Sequence, residues 1–232
     1  LMLAMTPADL DGEHLDDLHP LRLRGLPREA TSLIGSVGVQ LAMLMSTAVI
    51  FAMTFQATFL PLYLDELQYT ATAIGMLFSL RAAASMVVRP FMNRITDAHG
   101  NRSRTMASMT FVIAGSIGVV GLLDAYVLLA FAVMLTGIGS GVSQPLSLVA
   151  VADHTPAARR GFAIGLRLTG NRLAQVASPV VLGLLVEVAG FAVTFATAGI
   201  LLCGTALAIL GRASAFERAE QRLPQPRPTR SP

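Results

Sequence analysis

The chain has 232 residues, 53% of them hydrophobic and only 13% charged, with a mean hydropathy of +0.63. A soluble domain carries about 25% charged residues, so this composition cannot furnish a water-facing surface for a fold of this size, and lipid is the expected solvent. The net charge is only +3, and the basic residues, arginine throughout, fall in short clusters between apolar runs, which argues against a nucleic-acid surface.

Residues 1–35 are polar and of mixed charge, from Asp9, Asp11, Glu13, Asp16 and Asp17 to Arg22, Arg24 and Arg28. They are expected to form a flexible or partly helical linker. The opening LMLAM is too short for a signal-peptide core and runs into acids rather than a cleavage site. A chain that begins with Leu1 reads as a fragment or as the product of an unusual start codon.

No charged residue occurs between Ala30 and Leu64. About 20 apolar residues cross a bilayer core, so a first span is expected over 36–64. Asp65 and Glu66 open a short loop, and a second span follows over 71–94, interrupted by Arg81 and Arg89. A charged loop runs from Arg94 to Arg104, then a third span over 104–123, a turn at Asp124 and an uncharged fourth span over 125–152. Asp153 to Arg160 form another charged loop. The fifth span, 161–187, carries Arg167 and Arg172; Glu187 to Gly190 make a turn and the sixth span covers 190–211. The tail, 212–232, ends in LPQPRPTRSP and is expected to be disordered.

The connections at 65–70, at 124 and at 187–190 hold acids and no arginine, whereas both termini and the loops at 94–104 and 153–160 hold all the loop arginines. The two groups alternate along six spans. By the positive-inside rule both termini and the two charged loops are expected in the cytoplasm, the spans lying in the inner or plasma membrane.

Within the spans, Gly115, Gly118 and Gly121, then Gly137, Gly139 and Gly141, are expected to let helix backbones approach closely. Pro90, Pro145 and Pro179 are expected to kink or loosen their helices. Arg81 and Arg172 fall near mid-membrane at about 1.5 Å of rise per residue. A charge there costs about 2.5–3.5 kcal/mol even on the lenient scale, so each should face a cavity or a partner. Arg89 and Arg167 sit nearer the cytoplasmic face, where they are expected to snorkel. No Asp or Glu lies deep in any span. The counter-charge must then come from another polypeptide segment or from an anionic substrate, or else backbone carbonyls and water suffice. Gln56, Gln144 and Asn171 are further polar candidates along a substrate path.

The loop after the second span reads Asn93-Arg94-Ile95-Thr96-Asp97-Ala98-His99-Gly100-Asn101-Arg102-Ser103-Arg104. It resembles the cytoplasmic loop motif of the major facilitator superfamily, G-x-L-a-D-r-x-G-r-r. Asp97, Gly100 and Arg102 match; Asn93 stands for the first glycine, and Ala98 and Asn101 stand for two basic positions. The later run from GIGSGVSQP to DHTPAARRGFAIGLRLTGNRLAQVASPVVLGLL is similar to the tenth and eleventh helices of that family, with Pro156, Arg159, Arg160, Gly161, Pro179 and Gly183 as the matching features. The resemblance covers 36–211.

It implies an all-α membrane protein of six transmembrane helices in two inverted three-helix repeats, the C-terminal half of such a transporter. The segment 1–35 would be the end of the central cytoplasmic loop. The second and fifth helices, which carry Arg81 and Arg172, would face the other half across the transport path. Substrate-path candidates are therefore Arg81, Gln56, Gln144, Asn171 and Arg172. Arg94, Asp97, Gly100 and Arg102 are loop or gating candidates, with Asp97 accepting hydrogen bonds from a helix N-terminus. Gly137, Gly139, Gly141, Pro145 and Pro179 are packing or kink positions. The implied function is secondary transport of a small solute by alternating access. Efflux is a base-rate expectation rather than an inference from residues, and the absent deep carboxylate places any proton-coupling acid in the other half. The expected partners are the solute, the bilayer, and a missing N-terminal six-helix half or a second copy.

No cofactor, metal or enzymatic activity is expected. His14, His19, His99 and His154 all lie outside the spans, so a Ser–His dyad around Gly139-Ser140-Gly141 and a metal cluster in the membrane are both unsupported. A phosphate loop ending in Lys-Ser/Thr needs a lysine that the chain lacks, and Cys203, the one cysteine, forms no intrachain disulfide. The rival reading is a truncated or non-transporting membrane protein, or an assembly partner.

Overall fold

The computed structural model describes residues 37–212, and every regular element among them is helical. The expected polar segment 1–35 and all of the expected tail beyond Arg212 lie outside the described residues. Helix α1 spans Val37–Glu66 and α2 spans Ala71–Val88. A 3-10 turn, Arg89–Phe91, leads to the short α3, Met92–Ala98. Then come α4, Arg102–Val120, and α5, Tyr126–Asp153, before a turn at Ala157–Arg159 opens α6, Arg160–Gly211.

The ends of these helices follow from local chemistry. At the end of α1, Gln68 takes a φ of 62°. Its N–H donates to the carbonyl of Asp65, and the Tyr69 N–H to that of Leu64, both at 2.9 Å. That pair of bonds is the Schellman arrangement, which satisfies carbonyls that the helix leaves free. Thr70 then caps α2, its hydroxyl accepting from the Ala73 N–H at 3.3 Å. Pro90 lacks an N–H and disfavours helical geometry in the residue before it, and α2 gives way to the 3-10 turn at Arg89. Pro145 and Pro179 behave differently from Pro90: they sit inside α5 and α6 without ending them.

Among the described residues five helices are long and apolar enough to cross a bilayer. The last, α6, has 52 residues, about 78 Å at 1.5 Å per residue, more than twice the roughly 30 Å hydrocarbon core. Its one non-helical residue is Gly190, at φ 78° and ψ 175°. Packing against α1 shows what that break does. Along the first arm the partners advance together: Ser46 with Asn171, Phe51 with Ser178, Phe59 with Gly183. Along the second they run oppositely: Phe55 meets Phe195, and Tyr63 meets Phe191. The two arms are therefore antiparallel, and α6 folds back at Gly190. The two final spans expected from the sequence appear as one helix with a single-residue hinge.

The directions alternate throughout. Helix α5 is antiparallel to α1, since Gln56 meets Thr136 and Tyr63 meets Asp124. It is antiparallel to α4, since Arg102 meets Asp153 and Met109 lies against Gly139. It is parallel to α2, since Ala73 meets Tyr126 and Ser85 lies against Gly141. One end of the bundle thus carries Arg89, Arg94, Arg102, Arg104, Arg159, Arg160 and Arg212, and the other Asp65, Glu66, Asp124 and Glu187. An all-helical, multi-pass membrane protein results, with arginines at one end, where Asp97 and Asp153 lie among them, and acids without arginine at the other.

Small residues set the packing. The second arm of α6 meets α4 at Gly199 and Gly118, where a Cβ on Gly199 would lie 2.6 Å from the Gly118 Cα. In α5, Gly137 and Gly141 press on α2 while Gly139 presses on Ile113 of α4, so one glycine run serves two interfaces. Gly115 meets open space and makes no such approach. Between these contacts Phe55 stacks edge-on against Phe195 with centroids 4.8 Å apart. Helix α2 and the first arm of α6 are the least covered, exposing Met86, Val87, Leu173 and Val176 among others.

Candidate functional site

The polar side chains within the membrane-spanning region fall into separate groups rather than one cluster. Gln56 is fully buried on α1; its amide donates to Thr136 Oγ1 of α5 at 3.5 Å, a long contact, while its own Oε1 has no partner. Asn171 of α6 is also buried, and its Oδ1 accepts from the Ser46 hydroxyl at 2.9 Å. Both residues cross-link α1 to a neighbour, but ten positions separate Gln56 from Ser46 along α1, about 15 Å.

The arginines divide in a way that the sequence reading did not anticipate. Arg81 of α2 is half-buried, its guanidinium 5.3 Å from the Phe78 ring centroid, and its Nη1 is buried without a hydrogen-bond partner. The carbonyl of Arg81 packs on Gly137, which fixes the backbone of α2 against α5. Arg172, expected to face a cavity or a partner, is exposed on the first arm of α6 and donates to Gln175 Oε1 at 2.8 Å. Arg167, expected to snorkel, is the buried one, only 6% exposed. Its Nη2 donates to Gln144 Oε1 at 3.2 Å and to Ser147 Oγ at 2.8 Å. The physical reason is the helical face. Ala163, Arg167, Asn171, Ala174, Ser178 and Leu182 are all buried, spaced by three and four, so they form one stripe toward the bundle. Arg172 falls off that stripe. A stripe of small and polar residues at that spacing was the signal that could have identified Arg167.

At the arginine-bearing end, Gly100 supplies the turn between α3 and α4 with φ +73°, a conformation that favours glycine, and its N–H donates to the Asp97 carbonyl at 3.0 Å. Arg102 pairs with Asp153 at 2.7 Å, joining the two charged connections. Arg94 is exposed, 5.9 Å from the Phe91 ring. The Asp97 carboxylate is exposed and receives no hydrogen bond among the described residues, so the expected capping of a helix N-terminus is not made within this bundle. Pro145 lines a cavity with Gln144 and Arg167, and Pro179 lies one residue beyond the buried Ser178.

The arrangement offers hydrogen-bond donors and positive charge on helices whose outer faces are uncovered, a setting for binding and orienting a solute. Comparison with known proteins gives it a frame. The family model described as Major Facilitator Superfamily matches residues 42–231. The "Multi-drug resistance efflux pump PmrA homolog" of Lactococcus lactis subsp. lactis (strain IL1403) is 33% identical over 148 residues, covering 62% of this chain and 36% of that protein. The "MFS-type transporter hasB" of Aspergillus fumigatus (strain CBS 144.89 / FGSC A1163 / CEA10) is 29% identical over 194 residues, 78% of this chain and 41% of that protein. The "Uncharacterized MFS-type transporter YuxJ" of Bacillus subtilis (strain 168) is 27% identical over 162 residues, 68% of this chain and 41% of that protein. The aligned part of the chain spans less than half the length of each of these relatives.

Proposed function

The chain belongs to the Major Facilitator Superfamily, and from that membership we propose that it moves a small solute across the plasma membrane by alternating access. Its bundle rocks against a second six-helix bundle, supplied by a longer protein or by a second copy, around a site near the midplane. The arginine-bearing end and both termini face the cytoplasm. Export of drug-like solutes is the favoured direction, by analogy with the Lactococcus relative, named a multi-drug resistance efflux pump homolog.

Arg172 carries this reading. It lies 12 residues into α6, about 18 Å from the arginine-bearing end, and is exposed with only a neutral partner. A guanidinium at that depth is too costly to leave in hydrocarbon, so its face of the bundle meets water or polar groups. Arg81, half-buried on α2, borders the same path. Gln56 and Asn171 hold α1 in place behind it.

The test needs no knowledge of the solute. In a Cys203→Ala background, Arg172→Cys in the assembled transporter is exposed to a membrane-impermeant maleimide from each side in turn. Reaction from both sides is expected of a residue that lines an alternating path. Reaction from neither, with exposed loop cysteines reacting normally, would sink the proposal.

A further inference from the structure

A cavity of about 250 Å³ opens where α2, α5 and the first arm of α6 converge toward the arginine-bearing end, lined by Arg89, Gln144, Pro145, Leu148 and Arg167. Its chemistry is one-sided. Arg167 is 94% buried, and both hydrogen bonds of its Nη2 go to neutral oxygens, on Gln144 and Ser147. The Arg167 Nε is buried with no partner at all. Gln144 gives its oxygen to Arg167, which leaves its Nε2 donor, also buried, without an acceptor. Arg89 stands exposed on the wall formed by the end of α2. Among the described residues Asp153 pairs with Arg102, and neither Arg89 nor Arg167 forms an ion pair with a carboxylate.

Two guanidinium groups in one small cavity repel each other, and a buried guanidinium without counter-charge carries a desolvation cost that neutral partners offset only in part. Every unsatisfied polar atom identified at this site is a donor: Arg167 Nε and Gln144 Nε2. What such a site lacks is an acceptor with negative charge. Guanidinium groups suit oxyanions because their planar N–H forks match two oxygens at once. The space exceeds by several-fold the roughly 30 Å³ share of one water, yet falls below the roughly 300–1,000 Å³ of drug-sized pockets.

We infer that this cavity binds a single oxyanion group, a phosphate or a carboxylate, clamped between Arg89, at the end of α2, and Arg167 of α6 with Gln144 as the neutral donor. The anion offsets the charge of the pair and ties the end of α2 to the first arm of α6 at one end of the bundle. The group is carried either by a small soluble anion or by the headgroup of an anionic lipid at the membrane surface. The inference rests on the membrane-embedded bundle and stands whether or not the chain moves a solute.

The experiment uses the purified chain in nanodiscs and measures binding and thermal stability, not transport. In one arm the lipid is phosphatidylcholine, and inorganic phosphate or acetate is titrated against chloride at constant ionic strength. In the other no anion is added, and phosphatidylglycerol replaces part of the phosphatidylcholine, with retained lipid read by native mass spectrometry. The expected result is binding and a raised unfolding temperature in at least one arm, weakened about tenfold by Arg89→Gln, which loses one charge-assisted contact. Arg89 is exposed and makes no side-chain hydrogen bond among the described residues, so this variant is expected to fold; Arg167→Gln should abolish the effect wherever it folds. A response in the soluble-anion arm alone assigns a free anion, and one in the lipid arm alone assigns a headgroup. Absence of a response in both arms, or a response unchanged by Arg89→Gln, overturns the inference.

Discussion

Arg102 at the head of α4 and Asp153 at the foot of α5 form an ion pair of 2.7 Å between side chains that are 28% and 39% exposed. The pair spans two antiparallel helices and closes the arginine-bearing end where the two charged connections meet. Because both groups retain contact with solvent, the attraction is screened, and exposed pairs contribute about 0.2–1 kcal/mol. Asp153→Asn is expected to lower stability by no more than about 1 kcal/mol, and the effect should shrink as salt is raised. Unfolding in detergent at low and high salt checks this. A loss several times larger, or one indifferent to salt, would show that Asp153 acts through something other than this exposed pair.

The contact of Gly118 with Gly199 makes a sharper prediction. A Cβ on Gly199 would sit 2.6 Å from the Gly118 Cα and 2.9 Å from the Ala114 carbonyl, atoms of backbone that cannot rotate away. Gly199→Ala is therefore expected to push α4 and the second arm of α6 apart, costing about 1–3 kcal/mol, as overpacking does. Gly204, five residues further along the same arm, has nothing within 4 Å. Gly204→Ala should be neutral or slightly stabilising, since alanine is the better helix former by up to about 1 kcal/mol. Thermal unfolding of the two variants side by side decides it; equal losses would mean that close approach is not what Gly199 provides.

These examples also mark how far the sequence carries. The alternation of arginine-bearing with arginine-free connections follows from where charge can sit in a bilayer, so it is legible without a structure. The glycine runs in α4 and α5 announce close packing, but not that Gly137 and Gly141 serve α2 while Gly139 serves α4, because each partner is set by the rotation of a helix about its axis. The burial of Arg167, expected to snorkel, has the same origin. In a soluble helix the apolar stripe declares the buried face, whereas in lipid both faces are apolar and that contrast is lost. Only the small and polar stripe from Ala163 to Ser178 remained as a guide. The sequence indicates a turn over Glu187 to Gly190, whereas the helix runs on to Gly190, the single residue whose backbone leaves helical space.

Gly190 is where one residue is expected to matter most for topology. Its φ of 78° with ψ of 175° lies in a region open essentially to glycine alone, where any other residue is strained by about 1–3 kcal/mol. No atom lies within 4 Å of a Cβ placed there, so the cost of Gly190→Ala is conformational rather than steric crowding by neighbours. Gly183, in the same arm, would bring a Cβ only to 3.7 Å from the Phe59 ring, an ordinary contact. Gly190→Ala should lose stability by about the strain just given, with Gly183→Ala close to unchanged. A Gly190→Ala variant as stable as the parent would mean that the fold-back does not require this backbone geometry.

The alternation of helix direction predicts which positions share a side of the membrane. Glu66 and Asp97 are both exposed, at opposite ends of the bundle, separated by the single crossing of α2. Cys203 is partly exposed, so the background for labelling is Cys203→Ala, followed by Glu66→Cys or Asp97→Cys. In intact cells a membrane-impermeant maleimide is expected to label position 66, and to reach position 97 only once the membrane is permeabilised. The opposite pattern would invert the assigned orientation while leaving the bundle across the bilayer, because the ends would still be separated. Labelling of both positions in intact cells is the damaging result. It would mean that α2 does not cross, and the alternating directions read from Ala73 with Tyr126 and from Ser85 with Gly141 would no longer describe a membrane-spanning protein.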